Sequence, residues 1–562
     1  VTEPVVHRRP NADKPPPDWD LVYKRNYIER LKRDRPPIDV RDEIPALAAL
    51  GYENIPEEDI VRLYWWGLAH DKPKIGTFMV RVKVAGGRVR PDMLRGLGRI
   101  AREYGRDEAE LTTRQGIQLH WVQLDALPEA LSAIEAAGLT TVGAEGDTVR
   151  NITGCPVAGL TRDEAFDVSG VIEDVANHFY GNAEFSNLPR KHKYTIASCA
   201  AQCNAPEISD VALVAVIQDG REGFGLRVGG GMANTPRISR DIGVFVPRED
   251  VIEVLEAVTN AWQRDLRYRI SRAKARIKFM MDDYGPQGMR DRIEQELGRR
   301  LPDGSAPSPT QESDHLGLHP QRQEGLYYLG IPVPVGRVTG TALTELADLA
   351  DDIGGDVRFT RQQNVILTNI PADRLDQVRT SLVGIGFDPD RTRAFGRSLA
   401  CTSHQFCNYS VAETKGKLTE IIDELAVRHG RERVGDLAIH MDGCPHACAQ
   451  HWIGEIGLQG TTTRVDGEGD RVEAYDLTVG GGLGARTAIG RRLLRRVPTS
   501  EITSVLDRLV TAWLEERDRH GDNGFGFGDF CARHDDEQLL HVATALGPVS
   551  AATDDALEGA LR

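Results

Sequence analysis

Apolar and polar positions alternate from Thr77 to Val84, as in a half-buried strand, and then recur at helical spacing from Pro91 to Tyr104. A second strand-like run covers Leu119 to Leu124, and a second helix is predicted from Leu127 to Ala137. Half a chain later the succession returns. A strand pattern at Leu326 to Val333 precedes a helix from Thr341 to Ile353, then a strand at Asn364 to Asn369 and a helix from Arg374 to Ile385. The intervening loops correspond: Leu111-Thr112-Thr113-Arg114-Gln115 stands against Phe359-Thr360-Arg361-Gln362-Gln363. Further on, Val228-Gly229-Gly230-Gly231 returns as Val479-Gly480-Gly481-Gly482. Landmarks that keep both order and spacing argue for one duplicated unit.

Outside the repeats the pattern weakens. Residues 1–66 read as an extension with few helices: Pro15, Pro16 and Pro17 hold its start open, Tyr23 to Lys32 suits a short helix, and Trp65-Trp66-Gly67 reads as a packed aromatic anchor. The stretch 301–323 is rich in Pro, Ser, Asp and Gln and reads as a linker crossing the surface. The tail beyond Gly526 is polar and expected to be peripheral.

A chain of 562 residues is too long for one core. Its net charge of −15 argues against nucleic acid as the main partner. Local basic runs exist nonetheless, at Arg491, Arg492, Arg495 and Arg496 and at Arg190, Lys191 and Lys193. The sequence has no apolar run long enough to span a membrane, and Val1 to Asp20 has no signal-like apolar core. Eight cysteines in so long a chain fit a reducing compartment better than a disulfide scaffold, so a cytoplasmic location is expected.

Four of those cysteines form two pairs, Cys401-x5-Cys407 and Cys444-x3-Cys448. A [4Fe–4S] cube needs four thiolates, and loops bracketed by Gly and Pro can turn such pairs towards one centre. Structural zinc is the rival, with pairs usually closer together. In the first copy Cys155, Cys199 and Cys203 match Cys401, Cys444 and Cys448, but Cys407 is matched by Thr161, so only the second copy keeps a full set. The first copy instead carries cations: Arg81, Arg150 and the run Leu188-Pro189-Arg190-Lys191-His192-Lys193. In an extended segment Lys191 and Lys193 share a face, with His192 on the other, and like charges so placed make sense around an anion. The Val-Gly-Gly-Gly runs lack the dinucleotide fingerprint, so reducing equivalents must come from a partner.

Taken together, these motifs resemble the sirohaem-dependent sulfite and nitrite reductases, from about Trp65 to Phe530. The resemblance implies an α+β, internally duplicated, pseudo-two-fold fold. Its parts would be the extension (1–66), a first ferredoxin-like repeat (67–140), a first sirohaem-binding half with a degenerate cluster motif (145–300), the linker (301–323), a second ferredoxin-like repeat (324–390) and a second half (395–545) holding one [4Fe–4S] cluster and one sirohaem. It implies Cys401, Cys407, Cys444 and Cys448 as cluster ligands, with Cys448 bridging to the sirohaem. Arg114 and Gln115 would meet the macrocycle, and Arg81, Arg150, Lys191 and Lys193 the anion. The single-chain layout is similar to ferredoxin-dependent members, so reduced ferredoxin is the expected donor. Lys193, where many nitrite reductases have Asn, favours six-electron reduction of sulfite to sulfide; nitrite to ammonia is the alternative. His446 stands where the family usually has Asn. Ala69 and Glu145 stand where some members carry a Tyr–Cys cross-link, which is therefore expected to be absent here.

Overall fold

The alternation near Thr77 and Leu326 is realised as two five-stranded antiparallel sheets, each backed by the helices expected between its strands. In the computed structural model, which describes residues 11–310, 313–464, 470–521 and 524–544, one sheet runs in the order Leu68–His70, Thr77–Val82, Ile117–Gln123, Glu108–Leu111 and Arg337–Thr339. The other runs Gly317–Pro320, Leu326–Ile331, Val365–Pro371, Val357–Phe359 and Arg88–Val89. The last strand of each comes from the other repeat, so the two exchange edges: Val338 pairs with Ala109, and Val89 with Val357. Both repeats contribute to one core, in which Val80, Leu119, Leu329 and Leu367 are buried together.

Helices Pro91–Tyr104 and Gly340–Asp352 cross at the join. Their backbones approach so closely that a Cβ on Gly98 would lie 2.4 Å from Thr344 Oγ1 and 2.5 Å from the Gly340 carbonyl. Glycine at 98 therefore sets the distance between the repeats.

The two larger halves share one topology. Thr153–Gly154, Tyr194–Ala197 and Val211–Gln218 lie parallel, then Arg221–Val228 and Arg240–Pro247 continue antiparallel. Leu399–Ala400, Ile439–Asp442, Ile456–Arg464, Arg471–Val479 and Arg491–Pro498 repeat that order. In each half the cysteines leave the carboxyl ends of neighbouring parallel strands: Cys155 and Cys199 in the first, Cys401 and Cys444 in the second. Strand ends of this kind are where ligands of open mixed sheets collect.

Several expectations need correction. The helix expected from Tyr23 to Lys32 is two, Trp19–Arg25 and Tyr27–Asp34, divided at Asn26. The Asn26 side chain accepts from the Ile28 amide and donates to the Arg269 carbonyl, which breaks the first helix and caps the second. The linker is not a simple surface crossing, since Leu301 and Leu316 are buried and 317–320 adds an edge strand. The described part of the tail, 527–544, is not peripheral: Phe527, Phe530 and Cys531 bury one side of helix Phe527–Arg533, a short apolar stripe hidden among Gly and Asp, while 545–562 lie outside the described residues. The basic run on Arg491–Pro498 is partly neutralised, with Arg491 paired to Asp536 and Arg492 to Asp476. Residues 1–10 of the extension, 311–312 of the linker and 545 of the last part lie outside the described residues. Among the described residues no helix is long and apolar enough to cross a membrane.

The helix crossing predicts that Gly98→Ala, although favourable for an isolated helix, destabilises the protein by about 1–3 kcal/mol through overpacking. Gly170→Ala, where a Cβ meets nothing within 4 Å, is the control and is expected to be neutral or stabilising. Denaturant unfolding of the two variants checks this.

Candidate active site

The C-x3-C loop is held open by its neighbours. Asp442, the last residue of its strand, takes hydrogen bonds from the Ala449 amide (2.7 Å) and the His451 amide (3.2 Å), and lies 2.9 Å from His451 Nδ1. Residues 443–448 thus arch between two fixed points, with Ala447 and Gln450 in left-handed conformations. Gly443 is packed so tightly that a Cβ would fall 1.8 Å from Ser410 Oγ. The C-x5-C loop docks on the first ferredoxin-like sheet: Phe406 stacks on His120 at 3.9 Å, and Gln118 donates to Thr402 Oγ1 at 2.6 Å. Burial disfavours charge on His120, but Asp71 and Glu110 outweigh it and raise its pKa.

Cys401, Cys407, Cys444 and Cys448 converge between these loops, near enough for their charges to interact. Burial raises the Cys401, Cys444 and Cys448 thiols, Cys444 to about 12. Such thiols ionise only beside compensating positive charge, which a cationic metal core supplies. Their spacing is also informative. The sole group of three or more His, Cys, Asp or Glu ligand atoms lying within 4.8 Å of one another, among the described residues, is elsewhere. The four C-terminal thiols are therefore spread wider than one tetrahedral zinc, with Zn–S of about 2.3 Å, would hold them. They fit a cube, whose own iron and sulfide separate its ligands.

Cys448 is exposed and stands beside cations of the first half. Lys191 and Arg81 are its electrostatic neighbours, and Thr113 Oγ1 donates to its carbonyl at 3.0 Å. The segment carrying Lys191 is extended, with His192 buried and stacked on Trp262 at 4.8 Å. Lys191 and Lys193 are thus turned the other way, each half-buried. Burial, reinforced by Arg150 and Arg190, lowers Lys191 to about 7; burial, with Arg114 and Lys191, lowers Lys193 well below its ordinary value. Neither ammonium donates to a protein acceptor among the described residues. Burial likewise lowers Arg150 to about 9 and Arg114 to about 10. Cations crowded and dried in this way fit a polyanionic macrocycle such as sirohaem, and the donor sets of these cations and of the loops together suit the cofactor pair.

Not every expected residue has a free end. Arg114 donates to the carbonyls of Asn151 (2.6 Å) and Tyr194 (3.2 Å), leaving Nε buried and unpaired. Arg150 holds the carbonyls of Ala144 and Gly146. Gln115 departs from expectation: its amide donates to Gly154 and Phe359 and accepts from the Gly154 amide, so it ties the loops of the two copies together. Arg81 is paired with Glu145 at 3.0 Å.

The charges that hold the wall in place were missed. Asp147, fully buried, binds Arg272 (2.6 Å) and Arg190 (3.3 Å), with Lys32 of the extension at 3.8 Å. Asp210 binds Arg276 at 2.7 Å. Lys83 is buried against the Val149 carbonyl and the Tyr180 ring. Their partners lie far off in sequence, so only local charge was visible.

If Asp442 sets the arch, Asp442→Ala strips acceptors from buried donors at about 1–3 kcal/mol each, and cluster iron and acid-labile sulfide per chain are expected to fall by about half or more. Asp442→Asn, which keeps one acceptor, is expected to be intermediate. Iron and sulfide assays check the order.

Comparison with known proteins agrees with this reading. Two family models match: the nitrite and sulphite reductase 4Fe-4S domain over residues 145–301 and 399–544, and the nitrite/sulfite reductase ferredoxin-like half domain over 70–137 and 319–383. The chain is 35% identical over 560 residues to sulfite reductase [ferredoxin] 1 of Mycolicibacterium paratuberculosis, covering 94% of this chain and 99% of the relative. It is 36% identical to a ferredoxin–nitrite reductase of Synechococcus elongatus, covering 87% and 96%. The solved structure of Mycobacterium tuberculosis NirA superposes with a TM-score of 0.86 at 33% identity, over 93% of this chain and 99% of that one. With both models repeated along it and its cysteines and cations disposed as described, the chain belongs to the nitrite and sulfite reductase family, oxidoreductases that work with a sirohaem and a [4Fe–4S] cluster.

Proposed function

We propose that the protein reduces sulfite to sulfide with six electrons drawn from reduced ferredoxin. The observation that carries this reading is the pair of amines on Lys191 and Lys193, half-buried on one face of an extended segment, with Lys191 beside Cys448 and neither donating to a protein acceptor among the described residues. Two adjacent amines held towards neutrality until an anion arrives to charge them suit a doubly charged oxyanion better than a singly charged one. Ferredoxin as donor is supported by the names of relatives on both sides of the family.

In this reading Cys401, Cys407, Cys444 and Cys448 hold the cluster, and Cys448 also reaches the sirohaem. When bound, the pair would supply single electrons to the anion. The chain's own residues do the rest. Arg81, Arg150, Lys191 and Lys193 bind and orient the anion, and Arg114 meets the macrocycle's carboxylates. Each Lys Nζ can give a proton to an oxygen of the substrate and recover one from water.

One observation favours nitrite as the second reading. Glu145 pairs with Arg81 at 3.0 Å and takes one positive charge out of play, which suits a singly charged anion.

Two measurements test the proposal. Lys193→Asn is expected to lower kcat/KM for sulfite roughly tenfold or more, and for nitrite clearly less; side-by-side kinetics with the same reduced ferredoxin check it, and equal losses remove Lys193 from the specificity argument. The second concerns pH. Lys191, near 7 in the unloaded site, is an ammonium below its pKa and is lost as a proton donor as pH rises through it; a bound anion moves that pKa up. Turnover is therefore expected to fall on the alkaline side, with the midpoint rising as anion saturates. Lys191→Arg keeps the charge and cannot deprotonate, so it is expected to flatten that limb and cut kcat about 10²-fold with little change in KM. A pH–rate profile checks this.

A further inference from the structure

The first half keeps three cysteines that the reaction does not use. Cys155 and Cys199 leave parallel strands whose Gly154 and Ile196 are register partners, and their thiols are near enough to interact. Cys203 follows Cys199 by one tight loop. The chain between the halves then comes back over this loop: the Thr310 amide donates to the Ala200 carbonyl and Gln202 to the Pro307 carbonyl. That return carries His315 in. The sulfurs of Cys199 and Cys203 and a ring nitrogen of His315 all lie within 4.8 Å of one another. Cys199 and His315 are each only 5% exposed.

The histidine is posed as metal-binding imidazoles are. Its Nδ1 lies 3.3 Å from both Ser313 Oγ and the Tyr328 hydroxyl, while Nε2 is buried with no hydrogen-bond partner. One ring nitrogen is fixed and the other is left for a ligand. The Cys199 thiol is the polar group set to act on that ring.

Distance separates this group from the cluster loops. One tetrahedral ion with Zn–S of about 2.3 Å puts its ligands roughly 3.8 Å apart, within the spacing seen here. A cube would need the wider set found in the second half. The position matching Cys407 is Thr161, so the fourth sulfur of a cube is missing. A mixed nitrogen and sulfur set of this size suits a borderline-soft d10 ion. Arg361, donating to the Cys203 carbonyl at 3.1 Å, brings a positive charge to the thiolate side.

We propose that Cys199, Cys203 and His315 bind one zinc ion, with its fourth position left to water, at the place in the first half that corresponds by internal duplication to the iron–sulfur centre. The ion would staple the returning chain and, through Tyr328, the second ferredoxin-like sheet to the first half. It takes no part in the reduction, so its fate is independent of the substrate.

The test is metal analysis of the untagged holoenzyme grown with zinc and dialysed against EDTA. The expected result is about one zinc per chain, with a zinc-edge X-ray absorption spectrum showing a mixed sulfur and nitrogen shell. In Cys203→Ser/His315→Ala zinc is expected to fall about tenfold or more, with iron content and the visible chlorin band close to those of the parent. Negligible zinc in the parent, an oxygen-only shell, iron in place of zinc at these ligands, or a Cys199–Cys203 disulfide found by peptide mass spectrometry would each overturn the proposal. The parent's zinc content and absorption edge decide the matter even if the double variant fails to fold.

Discussion

The structure depends on keeping a group of positive charges out of water beside a sulfur ligand. Lys83, Lys191, Lys193, Arg114 and Arg150 are all driven towards neutrality by burial and by one another. An isolated buried charge costs several kcal/mol or more, so such a wall persists only if its outer side is neutralised and its inner side meets an anion. The outer side is supplied by Asp147 and Asp210, which hold Arg190, Arg272 and Arg276. The helices of the extension add Lys32 to the same network, donating to the Leu188 carbonyl at 2.8 Å, while Glu29 pairs with Arg269. The extension is therefore a brace for the Leu188–Lys193 segment, and the inner side is left to the ligand.

Duplication explains how cations and cysteines from opposite ends of the chain meet. Each ferredoxin-like sheet covers the cysteine loops of the half it does not precede. The first sheet, through His120 and Gln118, seats the Cys401–Cys407 loop. The second, through Tyr328, covers His315 and the Cys155–Cys199 end. The exchanged edge strands and the Gly98–Gly340 contact fix this crossed arrangement. A small change in the distance between repeats moves both sites at once.

Much of this was legible in the chain. The strand and helix pattern of both repeats matched the observed elements closely, because half-buried strands and amphipathic helices impose periods of two and 3.6. The clustered thiols and the shared face of Lys191 and Lys193 followed from spacing alone. What failed was long-range. Gln115 sits in a segment that looks ligand-facing, yet its amide is spent on Gly154 and Phe359, and a one-dimensional pattern cannot tell those uses apart. Asp147, Asp210 and Glu145 were invisible as site residues because an acid looks the same whether it is solvated or neutralising a buried arginine. The linker looked idle because its low periodicity concealed Leu301, Leu316 and His315, single buried residues whose partners, such as Gly396 for Leu316 and Tyr328 for His315, lie in other elements.

Two copies of one scaffold have thus reached different ends by small substitutions. The strand ends of both halves still aim cysteines at a common point, since the parallel register Gly154–Ile196 repeats as Ala400–Met441. In the second copy Asp442 arches the C-x3-C loop and a fourth cysteine widens the set. In the first, Ala197 stands at the position matching Asp442 and Thr161 at that matching Cys407, so the carboxylate and the fourth sulfur are both missing, although the loop keeps left-handed residues at Gln202 and Ala205 as its counterpart does at Ala447 and Gln450. A histidine from the returning chain stands beside the first-half thiols instead. Ligand spacing, more than ligand identity, therefore separates the two cysteine groups.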